Sequence, residues 1–379
     1  MKFMLVAFNA HLLTGDASYR SAGISVYIAN LLCHLARATE EGLDYAVLLG
    51  AGQLPPGCEM RTIRAARSTA RPARRIAWEQ TALPGVLRRL GADLLHAPAF
   101  VGPLVVPCPQ IITLHDLSFL RHPQFFKRAN RLYLRAMTPL ACRRAAAVIA
   151  VSEFTAREAV ALMGVAPERV HVITHGVDPR FRPLPPEEVA RFRATQGLPE
   201  RFILHMGTLE PRKNLVRLVQ AFAQGAPSDV HLVLAGGRGW LYETIFAEVA
   251  RWGVQDRVHF PGYVPAETQA LWYNAADLFA YVSIYEGFGL PVLEALACGT
   301  PTVASATTSL PEAAGDAALT VPPDDVAAIA AGLARLLADD ALRAELRARG
   351  LAHAARFSWE TTAQRTAALY RQIVGGTER

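Results

Sequence analysis

Short apolar runs alternate with longer amphipathic stretches along nearly the whole chain, and this limits its fold more than any other feature. KFMLVAF, YAVLLG, DLLHAPA, IITLHD, AVIAVS and VHVITHG read as buried strands. Between them, ISVYIANLLCHLARA and LYLRAMTPLACRRA repeat apolar residues at helical spacing. Strand and helix in turn predict parallel sheets with crossover helices. At His175 the pattern pauses in HGVDPRFRPLPPEE, whose prolines and charges read as an inter-domain linker. It restarts with RFILHMG, VHLVLAGG, RVHFPGY, DLFAYVS and PTVAS, separated by the helical patterns NLVRLVQAFA, LYETIFAEVARW, AETQALWYNAA and PVLEALACG. Helices finish the chain, from DDVAAIAAGLARLLA to TTAQRTAALYRQIV. The expected class is α/β, with two doubly wound domains over residues 1–178 and 179–355. Open parallel sheets bind ligands beyond the carboxyl ends of their strands, so two facing domains would hold a site in the cleft between them.

The 379 residues, 51% hydrophobic and 19% charged, suit two globular domains and not a disordered chain. No apolar run reaches the roughly 18 residues that cross a bilayer. The start, MKFMLVAFNAHL, reads as a first strand and not as a signal peptide. Five scattered cysteines without CxxC spacing argue against a disulfide framework or a zinc site, and a cytoplasmic protein is expected. The net charge of +6 is unevenly spread: Arg61, Arg64, Arg67, Arg71, Arg74 and Arg75 fall in a stretch without a single acid. Two readings of that stretch stand, a solvated loop and a patch for an anionic membrane surface. Nucleic acid is not an expected partner, because no stacking array or known module accompanies the charge.

The chemistry concentrates in EGFGLPVLEALACG, directly after an expected strand. Gly287 and Gly289 permit tight backbone geometry, Pro291 suits a first helical turn, and Gly299 suits the helix end. The free N–H groups of a helix N-terminus favour an anion. Glu286 and Glu294 beside it accept hydrogen bonds from hydroxyls. A ligand with both phosphates and hydroxyls satisfies the whole arrangement. In GTLEPRKNLVRLVQAF, Asn214 is expected to cap the next helix, with Arg212 and Lys213 just before it as a phosphate site. The plainer alternative is a surface pair with Glu210. In the first domain, Gly23 opens an expected helix and His115 ends an expected strand beside Asp116. No DxD metal motif, GxSxG or P-loop occurs, and LAGGRGW lacks the pattern of a dinucleotide fold.

Together these residues resemble glycosyltransferases of family 4, a retaining family with the GT-B fold of two Rossmann-like domains. Its mark is a pair of glutamates separated by seven residues, as in Glu286-GFGLPVL-Glu294. GISVYIANLL, TLHDLSF, VSEFT, HGVD, GTLEPRKN, FPGYV and EGFGLPVLEALACGTP extend the likeness over nearly the whole chain. WEQTALP, DLLHAPAF and TLHDLSF are similar to the bacterial mannosyltransferase branch that builds O-antigen. The resemblance implies that Glu294 holds the ribose and Glu286 the donor sugar, with the backbone of Gly287, Phe288, Gly289 and Leu290 around sugar and phosphate. Arg212, Lys213 and the backbone of Gly23 would bind the diphosphate, and His115 would lie against the sugar. Gly262, Tyr263 and Val264 would border the base. Thr208 stands where many members carry an arginine, so one expected phosphate contact is missing or comes from elsewhere. The last segment, 356–379, is expected to pack back on the first domain.

The activity so implied is metal-independent transfer of a hexose, with no cofactor beyond the nucleotide sugar and with GDP-mannose as the first candidate donor. The acceptor would be an oligosaccharide or lipid-linked glycan. The first alternative is a rhamnosyl- or other hexosyltransferase of the same family, and two further rivals are a sugar-nucleotide epimerase and an inactive glycan-binding protein.

Overall fold

The computed structural model describes residues 3–13, 23–38, 42–65, 69 and 71–376. Of the arginine-rich stretch, Arg67 lies outside the described residues. The chain forms two units, one of residues 1–176 with 359–379 and one of residues 177–358.

The first unit holds a seven-stranded sheet in the order β3-β2-β1-β4-β5-β6-β7. Its strands are β1 (Met4–Asn9), β2 (Leu43–Leu49), β3 (Arg61–Arg64), β4 (Leu94–Ala97), β5 (Gln110–Leu114), β6 (Ala147–Ala150) and β7 (Val170–Val172). Every pairing is parallel. The apolar runs are continuous because both faces of the sheet are covered. In β1, Val6 and Phe8 face a core with Tyr27, Ile28, Leu31 and Leu35 of the helix Ile24–Arg37, while Ala7 turns to Leu83 and Leu87. The final helix Trp359–Gly376 belongs to this unit, with Trp359, Ala363, Ala367 and Tyr370 buried in the same core as Tyr27. Each large apolar side chain so buried contributes roughly 1.5–3 kcal/mol.

The second unit holds a six-stranded sheet in the order β10-β9-β8-β11-β12-β13. Its strands are β8 (Arg201–Met206), β9 (Val230–Ala235), β10 (Val258–Gly262), β11 (Leu278–Tyr281), β12 (Thr302–Ser305) and β13 (Leu319–Val321), again all parallel. Ile203 faces one core, and Phe202 and Leu204 face the other. The strand order turns back on either side of β8, so the carboxyl ends of β8 and β11 form the switch point where such sheets bind ligands.

Three expectations change. The arginine-rich stretch is not simply a loop: Arg61–Arg64 is edge strand β3, paired to β2, and Pro72–Thr81 is a helix with proline in its first turn. An edge strand tolerates this sequence because one side of it faces water, where arginines cost nothing to solvate. Asn214 precedes the helix Leu215–Gly225 but does not cap it. Its backbone is left-handed (φ 61°), and Nδ2 instead donates to the carbonyls of Val282 (3.0 Å) and Pro323 (2.6 Å). The Pro-rich segment after His175 ends in a helix, Pro186–Gln196, because a proline fits the first turn.

Candidate active site

The second unit brings Arg212, Lys213 and Glu286 into one cluster at the switch point. Arg212 and Lys213 end a short turn, Pro211–Lys213, after β8, and Glu286 follows β11. Arg212 Nη1 donates to Glu286 Oε2 and Lys213 Nζ to Glu286 Oε1, both at 2.7 Å. Arg212 also pairs with Glu210 at 2.8 Å and donates to the carbonyl of Tyr285 at 2.9 Å. Lys213 donates further to the hydroxyl of Tyr281 at 2.5 Å. The pair with Glu210 and the pair with Glu286 therefore coexist. Two cations and two carboxylates balance, and Lys213, Glu210 and Glu286 are all buried.

Burial disfavours charge on Glu286, but Arg212 and Lys213 outweigh it and hold the carboxyl at about 2. Lys213 is pushed down from its ordinary value by burial first and by Arg212 next, with Glu286 opposing. Glu286 is thus a fixed anion at neutral pH, and it keeps two desolvated cations oriented.

The loop that carries Glu286 is clamped from behind. Ser309 Oγ donates to the carbonyls of both Glu286 and Phe288, each at 2.9 Å. Gly289 adopts φ 114° at the start of the helix Leu290–Ala297, and a Cβ there would lie 2.7 Å from Leu310. Only glycine satisfies both the conformation and the space. Gly287 and Phe288 are buried, and Leu290 is half-buried at the helix start.

Glu294 sits on the same helix but apart from the cations. It is half-buried and accepts from the Tyr273 hydroxyl at 2.8 Å. Burial raises its carboxyl to about 7, against the Tyr273 bond and the Arg180 charge. One helix thus presents a permanent anion just before its start and, within it, a carboxyl that titrates near neutrality. Gly262 ends β10, Tyr263 is exposed, and the Val264 side chain is buried in the core.

Gly23 and His115 belong to the first unit. Gly23 precedes the helix Ile24–Arg37 with φ 68° and open space where a Cβ would stand. Tyr27, one turn on, sets its ring 4.8 Å from that of His115. His115 follows β5, and its Nε2 lies 2.7 Å from the carbonyl oxygen of Pro98, so Nε2 carries the proton. Burial lowers its pKa against the Pro98 bond and Asp116, so the ring is neutral with Nδ1 as an acceptor.

Tyr273 and Tyr281 are part of this machinery and escaped sequence reasoning. Tyr273 and Tyr281 lie in apolar runs, where an aromatic reads as core. Among the described residues, no group of three or more His, Cys, Asp or Glu is arranged to hold a metal ion.

The family description Glyco_transf_4 (Glycosyltransferase Family 4) matches residues 21–181, and Glycos_transf_1 (Glycosyl transferases group 1) matches residues 187–353. The O-antigen chain mannosyltransferase B of Escherichia coli is 35% identical over 305 residues, covering 79% of this chain and 78% of that protein. The serotype-specific mannosyltransferase WbdA of Escherichia coli is 32% identical over 273 residues, 68% of this chain but only 33% of its own length. Sucrose-phosphate synthase from Thermosynechococcus elongatus superposes with a TM-score of 0.79 at 26% identity, over 98% of this chain and 100% of that one. The chain belongs to glycosyltransferase family 4, with the GT-B fold, and bacterial O-antigen mannosyltransferases are among its relatives.

Proposed function

We propose that the protein transfers a hexose from a nucleotide sugar, GDP-mannose first, to a growing lipid-linked surface polysaccharide, with retention and without a metal. The observation that carries this is the buried cluster of Arg212, Lys213 and Glu286 beside a helix N-terminus, with Glu294 one turn further on. When the bond from the sugar's C1 to phosphate breaks, negative charge grows on the leaving diphosphate. Fixed cations and helix N–H groups stabilise that charge without a metal. In front-face substitution a phosphate oxygen takes the acceptor's proton, and the acceptor oxygen enters on the side the leaving group departs from. Glu286 fits the donor sugar as a fixed acceptor of hydroxyl protons, and Glu294 fits the ribose. The backbone of Gly287, Phe288, Gly289 and Leu290 lines sugar and phosphate, and Gly262, Tyr263 and Val264 border the base. The backbone at Gly23 adds a phosphate contact and His115 a sugar contact. Mannose is favoured because an O-antigen chain mannosyltransferase is 35% identical over 79% of this chain and 78% of its own length.

Thermal shift with GDP-mannose, dTDP-rhamnose, GDP-rhamnose and UDP-glucose tests the donor, since a ligand of the folded state raises its melting temperature. GDP-mannose is expected to give the largest rise, and no rise with any of the four overturns the reading. Because Glu294 titrates near 7 and accepts hydroxyls as a carboxylate, donor affinity should rise up to about tenfold from pH 6 to pH 8. Glu294→Gln should flatten that dependence. Transfer should be unchanged by EDTA and yield an α-linked product from an α-configured donor; a β-linkage defeats retention.

No helix among the described residues is long and apolar enough to cross a membrane. Contact with the inner face of an anionic membrane is proposed through Arg61, Arg64, Arg71 and Arg74, all exposed. Replacing these four with Gln should weaken binding to phosphatidylglycerol vesicles; equal binding removes this role.

A further inference from the structure

No spacing in the sequence pairs the five cysteines, yet the first unit brings two of them together. Cys33 lies on the helix Ile24–Arg37, one turn before its end. Cys58 lies in the loop between β2 and β3, outside any helix or strand. That loop is seated around it. The Cys58 N–H donates to the Pro55 carbonyl at 3.1 Å, and Leu54 and Met60 pack on the same core as Cys33 and Cys58. The two thiols lie within hydrogen-bond reach of each other. Cys58 is only 5% exposed, whereas Cys33 is half-buried and open to a small reagent. Because Cys58 stands in a loop, a small backbone shift brings the sulfurs from contact to bond.

The two thiols are chemically unlike. The hydrogen bond to Cys58 holds the Cys33 thiol below its ordinary value, with burial opposing and the Arg37 charge, one turn on, assisting. The same hydrogen bond, and then burial, push the Cys58 thiol up. The thiolate is the nucleophile, so Cys33 is the attacking sulfur and Cys58 the one held in reserve beside it. The other three cysteines differ. Burial is the first cause that pushes the thiols of Cys108, Cys142 and Cys298 up. Packing accounts for Cys142 and Cys298 as small buried side chains. It does not account for a half-exposed thiol set between an arginine and a second thiol.

We infer that Cys33 and Cys58 are a peroxide-reactive pair that closes reversibly to a disulfide, tying the last turn of the helix Ile24–Arg37 to the loop before β3. The Cys33 thiolate attacks one oxygen of hydrogen peroxide, the O–O bond breaks, and hydroxide leaves, giving a sulfenic acid on Cys33. The Cys58 sulfur then bonds to the Cys33 sulfur, and the Cys58 proton and the sulfenic hydroxyl leave as water. In sum, two thiols and one peroxide give one disulfide and two waters, and a dithiol reductant reverses the bond. The inference stands apart from the donor reading.

The test treats the full chain with stoichiometric hydrogen peroxide and maps its tryptic peptides without reductant. The peptides of Cys33 and Cys58 should be joined, Cys108, Cys142 and Cys298 should remain thiols, and dithiothreitol should release the link. Before oxidation, iodoacetamide should label Cys33 about tenfold faster than any other cysteine. In Cys58→Ala, Cys33 should stop at the sulfenic acid and be trapped by dimedone. In Cys33→Ser, Cys58 should gain no dimedone adduct. Should either variant fail to fold, the peptide map and the labelling order of the natural chain decide. No link between Cys33 and Cys58, equal linkage among the other cysteines, labelling of Cys33 no faster than that of Cys108, or dimedone capture at Cys58 in Cys33→Ser each overturns the inference.

Discussion

Lys213→Ala is expected to lower turnover by roughly 10²–10³-fold, the usual cost of removing one preorganised stabiliser of a developing negative charge. Lys213 is not a surface cation that a neighbour replaces. It is buried, 2.7 Å from Glu286, and already desolvated before any ligand arrives. Truncation also leaves Glu286 buried with Arg212 as its one cation, and breaking one partner from a buried pair costs about 3–5 kcal/mol. The two effects separate by measurement: turnover at saturating donor reports the first, and a denaturant melt reports the second. The pH sign follows from Glu286. Its carboxyl is held near 2, well below its value in the unfolded chain, so its contribution to stability is full at neutral pH and lost as pH falls from the ordinary carboxylate range towards 2. In Lys213→Ala that acid loss should be smaller and end at higher pH, because without the Lys213 charge the folded-state value lies nearer the unfolded one. Glu286→Ala should be at least as damaging, because it leaves Lys213 buried without a carboxylate partner and Arg212 with Glu210 only. Near-normal turnover in both variants would rule out this site.

Gly236→Ala should abolish folding of the second unit. Gly236 follows β9 with φ 153°, and its N–H donates to the carbonyl of Gly262 at 2.8 Å. A Cβ there would stand 1.9 Å from the carbonyl oxygen of Gly207, which is backbone and cannot rotate away. The loop from Gly207 to Lys213 must therefore move, and with it the cations of the site. The expected loss exceeds about 4 kcal/mol, the range reserved for a clash or strain of this kind. Gly253→Ala is the control: φ is 65° there, and nothing lies within 4 Å of the added carbon. It should cost only about 1–2 kcal/mol for the left-handed backbone. Far-UV circular dichroism and a thermal melt of both variants settle the comparison; a folded Gly236→Ala with a normal melting temperature would refute it.

Most strands were legible because each apolar run is covered on both faces, so hydrophobicity alone marks it. Two were not. β3 is an edge strand with an arginine at each end, and the sequence RTIR carries no apolar run. β13, LTV, is three residues long and too short for any window to register. Local grounds make Asn214 a helix cap, since asparagine commonly caps. Two carbonyls distant in sequence, of Val282 and Pro323, claim its side chain instead.

The sequence by itself determined the parallel α/β architecture and the segments that carry the chemistry. Strand, helix, cap and turn preferences are encoded within windows of a few residues: EGFGLPVLE is one loop and the helix start that follows it, and GTLEPRKN is one loop. Only the tertiary structure decided which charges meet. Arg212 and Glu286 lie 74 positions apart, and their pairing depends on β8 lying beside β11 and not beside β10. His11 and Trp78 likewise meet only because the helix Pro72–Thr81 lies over the end of β1. Alternation of strand and helix is the same for every strand order. The order is selected by how whole faces pack, so contacts across it are invisible in any local window.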